Sequence, residues 1–458
     1  MPGESLSAVL SEGDAFAFGT GTATYCDGAT VVGWGHPFFW TGTITMSMNE
    51  ADVVTVIEDT SGFFNFKIAT LGEPAGRLDF DGNAGIRGIS GQAAPSVPIT
   101  SSVEFAGHGA TRQGTTNAFV TKDIFFSLGW TSAWHLLTNL DYVSGTGFRP
   151  GSSLVEWTVN GTRQDGTPFT ASFDNRYWDS FSITDASVFE LAGFVDQLLF
   201  NPFERVTVDS VDVGRAELFT DRRTIDITKT QASTTSNPDP VSDFGFLRAM
   251  PGDTVTVDVT LRAFAGEESV ETFELQIPED FVGGYGSLSI HGGRLDEFYY
   301  DPYNPESATG EVQNFDDLLD ELQGRDHNYD LVAELTLFES YAEGVAIPQN
   351  GTGEPPVGPV SSNGFSGDQN IVRVKEVREF DKVVRGDRFL DLEVLPESPP
   401  VFGTLFADLS GDNEVGGGDP DGTGTAELNF EGDQLMFDIT LEAVAEPIIG
   451  AHIHTGIA

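Results

Sequence analysis

Two alternating runs joined by an Asp-Gly turn set the first limit on the fold. DAFAFGTGTATY (14–25) leads into CDGA, and TVVGWG (30–35) follows. Period-two alternation puts apolar side chains on one face of a strand, and Asp-Gly supplies the positive φ of a tight hairpin turn. More such runs follow closely: TITMSM, VVTVIED, FNFKIATLG, AGRLDFDG and AGIRGISG. Short strands at this spacing predict a barrel or a sandwich. The 53 Gly and 23 Pro agree, since both favour turns over helix interiors. Two segments read as helices. DASVFELAGFVDQLLF (185–200) has an Asp cap and apolar spacing of three to four, and NFDDLLDELQG (314–324) ends at a glycine.

A chain of 458 residues is expected to form roughly two to four domains. TQASTTSNPDPVSD, residues 230–243, is polar and contains proline, as linkers do. Residues 1–229 then form one domain. Residues 244–343 include PGDTVTVDVTLRAF and ETFELQIPEDF, whose alternation predicts an immunoglobulin-like β-sandwich. Residues 344–400 open on a long Gly/Pro/Ser/Asn-rich stretch and end at LPESPP, a linker and irregular segment. Residues 401–458 are the last unit.

The chain carries 71 acidic against 23 basic residues, a net charge of -48. Such a surface repels phosphates and anionic membranes, so neither nucleic acid nor a membrane surface is an expected partner. It also repels itself, and salt screens that repulsion, which points to a high-salt setting. The alternative is an acidic extracellular protein that binds divalent cations loosely. Cys26 is the single cysteine, so no intrachain disulfide forms, and it is expected as a buried small hydrophobe. No run approaches the roughly 18–20 apolar residues of a membrane span. MPGESLSAVLSEGD lacks the charged and apolar regions of a leader, and the start reads as a processed or truncated end.

Of the seven histidines, at 36, 108, 135, 291, 327, 452 and 454, His36 sits in a glycine-framed turn at the end of an expected strand. In GWGHPFF, Gly33 and Gly35 permit unusual backbone angles and Pro37 fixes the next φ. That arrangement suits a general base, which has to be held rigidly. It equally suits a structural histidine bonded to a backbone carbonyl. His291 and His327 are expected at the surface or in turns.

The segment GTGTATYCDGATVVGWGHPFFWTGTITMSMNEADVVTVI resembles the hallmark of the SpoIVB-type serine peptidases (sporulation stage IV protein B). FNFKIA, GEPAGRL and DGNAGIRG follow in the family's order over roughly residues 1–100. The resemblance implies a chymotrypsin-like β-barrel, with His36 at the position of the general base and Asp81 at a family position whose role is either orienting or structural. A serine peptidase also needs a nucleophile within reach of that base. The family's G-x-S-G-S-P stretch is not found here. Ser90 in GISGQ and Ser366 in GFSGD are the nearest local matches, and each also reads as a glycine-flanked turn serine.

FGTLFADLSGDNEV and LEAVAEPIIGAHIHTGIA, within 401–458, resemble the opening of a chordin-type CHRD domain, which implies an incomplete domain of that kind. On a strand His452 and His454 share a face, so they are candidate ligands of a transition metal, or else packing residues. DLSGDNE (408–414) offers spaced oxygens without the full pattern of a calcium loop.

The expected fold is mostly β: a peptidase-like barrel, an immunoglobulin-like sandwich and a partial CHRD domain. The expected setting is extracellular or cell-surface, and the partner a protein or peptide substrate or an extracellular protein. No cofactor is expected. Two functions remain open: peptide-bond hydrolysis with His36 as base, and a non-catalytic binding or structural protein on a degenerate peptidase scaffold.

Overall fold

A computed structural model describes residues 1–61, 66–120, 127–145, 147–243, 245–281, 283–293, 312–339, 371–395, 405–410, 423–431 and 434–442. The described part is mostly β, in four sheets.

The N-terminal strands are β1 (Ser5–Gly13), β2 (Ala17–Asp27), β3 (Thr30–Gly33), β4 (Gly42–Ile57), β5 (Phe66–Gly82) and β6 (Gly85–Ser90). They pair in the order β1-β2-β3-β6-β5-β4, and β4 returns to pair β1 from Leu6↔Glu50 to Val9↔Ser47. These six strands therefore close into an antiparallel barrel. The Asp27-Gly28 turn joins β2 to β3 as the alternation predicts, with Gly28 at φ 56°. Leu6, Ala8, Ala23, Met46, Met48, Leu78 and Ile86 fill the interior. Two glycines of the sequence motifs admit Met48. A Cβ at Gly76 would lie 2.7 Å from its Cε, and one at Gly88 2.7 Å from its Sδ. Cys26, expected to be buried, is only half-buried at the end of β2, packed against this core.

The same sheet continues past the barrel. The last residues of β1, Ser11–Gly13, pair β8 (Ala110–Ala118), which pairs β7 (Val97–Phe105). Then come β9 (Gly151–Thr162), β10 (Pro168–Asp179) and β11 (Thr207–Phe219), in the order β8-β7-β11-β9-β10. Against them pack α1 (Leu128–Ser144), the one-turn α2 (Ile183–Ala186) and α3 (Phe189–Leu199). The helix expected over 185–200 is thus split into α2 and α3. The expected set of helices omitted α1, whose buried face carries Thr131, Ser132, His135 and Asn139 among its apolar residues. Those polar positions blur the apolar stripe from which helices are read.

The sandwich begins earlier and ends later than residues 244–343. One sheet is β13-β12-β15-β16, from β12 (Thr224–Thr234), β13 (Val241–Ser242), β15 (Thr254–Ala263) and β16 (Glu268–Gln276); β20 (Val383–Arg385) adds to β12 in parallel. The other is β14-β21-β17-β18-β19, from β14 (Phe246–Ala249), β17 (Gly284–Gly292), β18 (Asp330–Glu339), β19 (Ile371–Glu379) and β21 (Asp387–Val394). Val255, Val257, Val259, Leu261, Phe273 and Leu275 from the first sheet meet Leu288, Ile290, Leu335 and Leu392 from the second. Residues 230–243, expected as a linker, carry the second half of β12 and all of β13. Residues 371–394, expected within an irregular segment, supply three strands.

Between β17 and β18 lies α4 (Phe315–Gln323), with Asn314 as N-cap accepting from the amides of Asp316 and Asp317. This helix packs on the N-terminal half. Phe315, Leu318 and Leu322 are buried in the core of β7–β11 and α3. The Phe315 ring stands edge-on to Phe169 at 5.2 Å, and Arg163 bonds both Glu204 and Asp316. The sandwich thereby completes its neighbour's core. β22 (Leu405–Ser410), β23 (Thr423–Glu431) and β24 (Gln434–Glu442) form a separate antiparallel sheet.

Phe315→Ala should therefore destabilise the N-terminal half, although residue 315 lies within the chain of the sandwich. The expected loss is about 3–5 kcal/mol, the usual cost of emptying a buried phenylalanine site. Chemical denaturation followed by the fluorescence of Trp157, in that same core, measures it.

Candidate functional site

The loop between β3 and β4 carries His36. Its two ends are strained: Trp34 has φ 75° and Trp40 φ 62°, a left-handed conformation that costs a bulky side chain about 1–3 kcal/mol. Packing holds the first. The Trp34 indole lies over β2 where side chains are missing, so that a Cβ at Gly21 would fall 2.3 Å from its Cδ1 and one at Gly19 2.7 Å from its Cη2. Phe38 meets Trp34 edge-on at 4.7 Å and stacks on Phe39 at 4.0 Å.

Asp81 holds the second end. It is fully buried on β5 and accepts three backbone N–H groups: Phe38 to Oδ1 at 2.8 Å, and Phe39 and Trp40 to Oδ2 at 2.7 Å each. A carboxylate is the side chain suited to this place, because it accepts through both oxygens and donates nothing. Asp81 thus shapes the loop from beneath, through its main chain.

His36 is exposed, and its ring tilts against Trp34 at 5.7 Å. Nδ1 lies 2.7 Å from the carbonyl oxygen of Pro37. A carbonyl can only accept, so Nδ1 donates and Nε2 bears the lone pair of the neutral ring. This is the backbone-carbonyl bond of a structural histidine, and it leaves Nε2 without a protein partner among the described residues. Among the described residues no other hydrogen bond to His36 is present.

Ser90 is not brought to it. In the β3–β6 register Gly33 faces Ile86 and Thr30 faces Ile89, so the His36 loop leaves from the Ile86 end and Ser90 closes the other. Four residues of strand separate those ends by about 13 Å. Ser90 Oγ donates to the Ala75 carbonyl at 3.4 Å. Ser366, His452 and His454 lie outside the described residues, as does most of DLSGDNE. Among the described residues no cluster of three or more His, Cys, Asp or Glu is placed to hold a metal.

A second serine–histidine pair was missed in the sequence. His135 on α1 has Nε2 at 2.9 Å from Ser101 Oγ and Nδ1 at 2.8 Å from Thr116 Oγ1, all three buried. Beside them Arg112 bonds Asn139 and Asp14, tying α1 and β8 to the chain just after β1. The Ser101–His135 distance suits a nucleophile and its base, but the third member is a hydroxyl and no substrate reaches a site with no exposed surface. Its position in α1 was the only signal, and α1 itself was not read. Burial lowers the His135 pKa to about 4. Asp196 on α3 is pushed the other way, to about 6, also by burial, while it accepts from Ser127 Oγ and the Gly129 amide at the start of α1.

Of the two histidines expected at the surface or in turns, His291 departs from that place, whereas His327 opens a turn in which its carbonyl accepts from the Asp330 amide at 2.9 Å. His291 is buried on β17, with Nδ1 2.6 Å from the Gly293 carbonyl. His327 is partly buried where the sandwich meets β10, stacked between Phe173 at 4.7 Å and Tyr329 at 4.6 Å. Its Nδ1 lies 3.1 Å from Asp330 Oδ2.

With this geometry in view, the comparisons with known proteins bear on one end of the chain. Residues 405–458 match the CHRD domain family. The described part of this CHRD segment is the three-stranded sheet β22-β23-β24, and the match includes His452 and His454. No curated protein and no solved structure matches the chain. Among the described residues no helix is long and apolar enough to cross a membrane.

Asp81→Ala should cost about 3 kcal/mol and alter Trp34 fluorescence, since it strands three amide donors, whereas Ser90→Ala should stay within about 0.5 kcal/mol of the parent. Denaturant titration of both variants checks this.

The two shifted groups give opposite pH dependences. His135 is lowered, so its neutral form contributes stability above pH about 6.5 that is lost as pH falls towards about 4. Asp196 is raised, so its contribution is present below pH about 4 and is lost as pH rises through about 6. Between pH 4 and 6.5 the stability of Asp196→Asn relative to the parent should rise by about 3 kcal/mol, and that of His135→Gln should fall by about as much. Denaturation midpoints across that range test the two signs separately.

Proposed function

We propose that the chain is a non-catalytic extracellular or cell-surface protein, in which a peptidase-like barrel serves as a scaffold for binding or structure. The observation that carries this reading is the commitment of Asp81. It accepts the amides of residues 38–40 and makes no hydrogen bond to His36, whose Nδ1 is engaged by the Pro37 carbonyl. A peptidase of the triad type needs a base that is oriented by a third group and touches a nucleophile. Ser90, at the far end of β6, supplies no nucleophile to His36. The extracellular setting is supported by the chordin-type resemblance and the CHRD match at 405–458. The net charge of -48 suits a medium of high ionic strength, where counterions screen the surface.

The second reading, a SpoIVB-type serine peptidase with His36 as general base, has one observation in its favour. The strained, tightly held loop carries an exposed His36 whose Nδ1 is engaged by Pro37, which leaves Nε2 for a substrate. Strain of this kind concentrates at functional sites.

Labelling with a serine-reactive fluorophosphonate in high salt separates the two, using the full chain beside His36→Ala. The scaffold reading expects no labelling of the folded parent. Labelling that disappears in His36→Ala would overturn it and establish serine catalysis.

A further inference from the structure

We propose that an open cleft at the junction of the N-terminal half and the sandwich is a binding site for a single oxyanion group, a phosphate or a carboxylate. The cleft has a volume of about 790 Å³ and is lined by Thr220, Asp221, Arg222, Arg223, Phe264, Asp381 and Lys382. Three of the chain's 23 Lys and Arg converge here against two acids, in a molecule whose net charge is -48. Each of the three also meets an acid: Arg222 meets Asp226 at 3.4 Å, Arg223 meets Asp221 at 3.0 Å and Lys382 meets Asp381 at 3.3 Å. The lining comes from three places: the β11–β12 connection, the end of β15 and the turn between β19 and β20.

The guanidinium groups are held in advance. Arg222 lies between Trp178, at 4.4 Å from its ring centroid, and Phe264, at 4.6 Å, and its Nε donates to Thr224 Oγ1 at 2.9 Å. Arg223 lies on the Phe219 ring at 3.4 Å, with Nε donating to Asp221 at 3.0 Å. Aromatic faces fix the plane of a guanidinium without using up its donors. Among the described residues, Arg222 Nη1 and both Nη groups of Arg223 donate to no protein acceptor. The neighbouring acids compete weakly: Asp221 is 62% exposed, Asp226 42%, and Asp381, 3.3 Å from Lys382 Nζ, 79%. Exposed pairs of this type contribute little and can swing aside. A planar donor fork fits the oxygens of a carboxylate or phosphate.

The surrounding field narrows the ligand further. A polyanion would meet the long-range repulsion of a net charge of -48 at each of its charges, while a lone anionic group on a small molecule meets it once. Phe264, 54% exposed, offers such a molecule an apolar wall.

The test is isothermal titration of the full chain with inorganic phosphate and with benzoate, at ionic strength fixed by sodium chloride. Saturable binding of either at one site is expected, and the preferred probe tells phosphate from carboxylate. Arg223→Gln and Lys382→Gln should each weaken it roughly tenfold or more, as loss of a charge-assisted hydrogen bond does. Lys382→Gln changes an exposed side chain and keeps the test valid if Arg223→Gln unfolds. Absence of saturable binding by both probes, or equal binding by parent and variants, would overturn the proposal.

Discussion

Backbone pairing along β1 is the constraint on which the N-terminal half rests. Residues 6–9 bond β2 on one side and β4 on the other, which closes the barrel, and residues 11–13 then pass to β8. A strand with an open edge in the core would leave amides and carbonyls unpaired, at a cost of about 1–3 kcal/mol for each buried group. β1 avoids that by changing partner along its length, so one strand commits the barrel and the second sheet to a fixed relation. The Arg112 network, joining Asp14 to Asn139, lies at the point where the strand changes hands.

A similar economy joins the next unit. The loop from β17 to β18 gives α4 to a core it does not belong to in sequence, and His327, Tyr329 and Asn328 follow α4 back along β10. The Asn328 amide donates to Asn175 Oδ1, while Asn175 Nδ2 and Tyr177 Oη donate to the buried Glu190. Burial and Glu190 raise the Tyr177 pKa well above its ordinary value, so the phenol stays a donor. The oxyanion cleft forms at the same junction, where strand ends and turns from both units meet.

Much of the β architecture was legible. The Asp27-Gly28 turn requires a positive φ that few residues supply, and the alternation in 254–276 specifies which face is buried. In NFDDLLDELQG the closing Gly324 marks a helix end, and the helix runs to Gln323 just before it. Where the pattern mixes polar and apolar residues on a buried face, as in α1, it gives no such mark. Segment 230–243 misled for a related reason. Its serines, threonines and proline have the composition of a linker, but residues 231–234 pair β15 through main-chain bonds, which composition does not reveal.

The site divides along the same line. The glycines and proline around His36 define a rigid turn because they act through the local dihedral angles of their own residues, and local rules suffice to read them. Whether that turn meets a serine depends on strand register: Gly33 opposite Ile86 sends the loop and Ser90 to opposite ends of β6. Asp81 contacts residues more than 40 positions away, and its two oxygens accept the amides of residues 38–40. Arg222, Arg223, Phe264 and Lys382 share a cleft although they span well over a hundred residues of chain. Net charge, β content and turn chemistry are sums or neighbours along the chain, and the sequence establishes them unaided. Which acid meets which amide, and which cations meet each other, follow from long-range pairing and exist only once the sheets have closed.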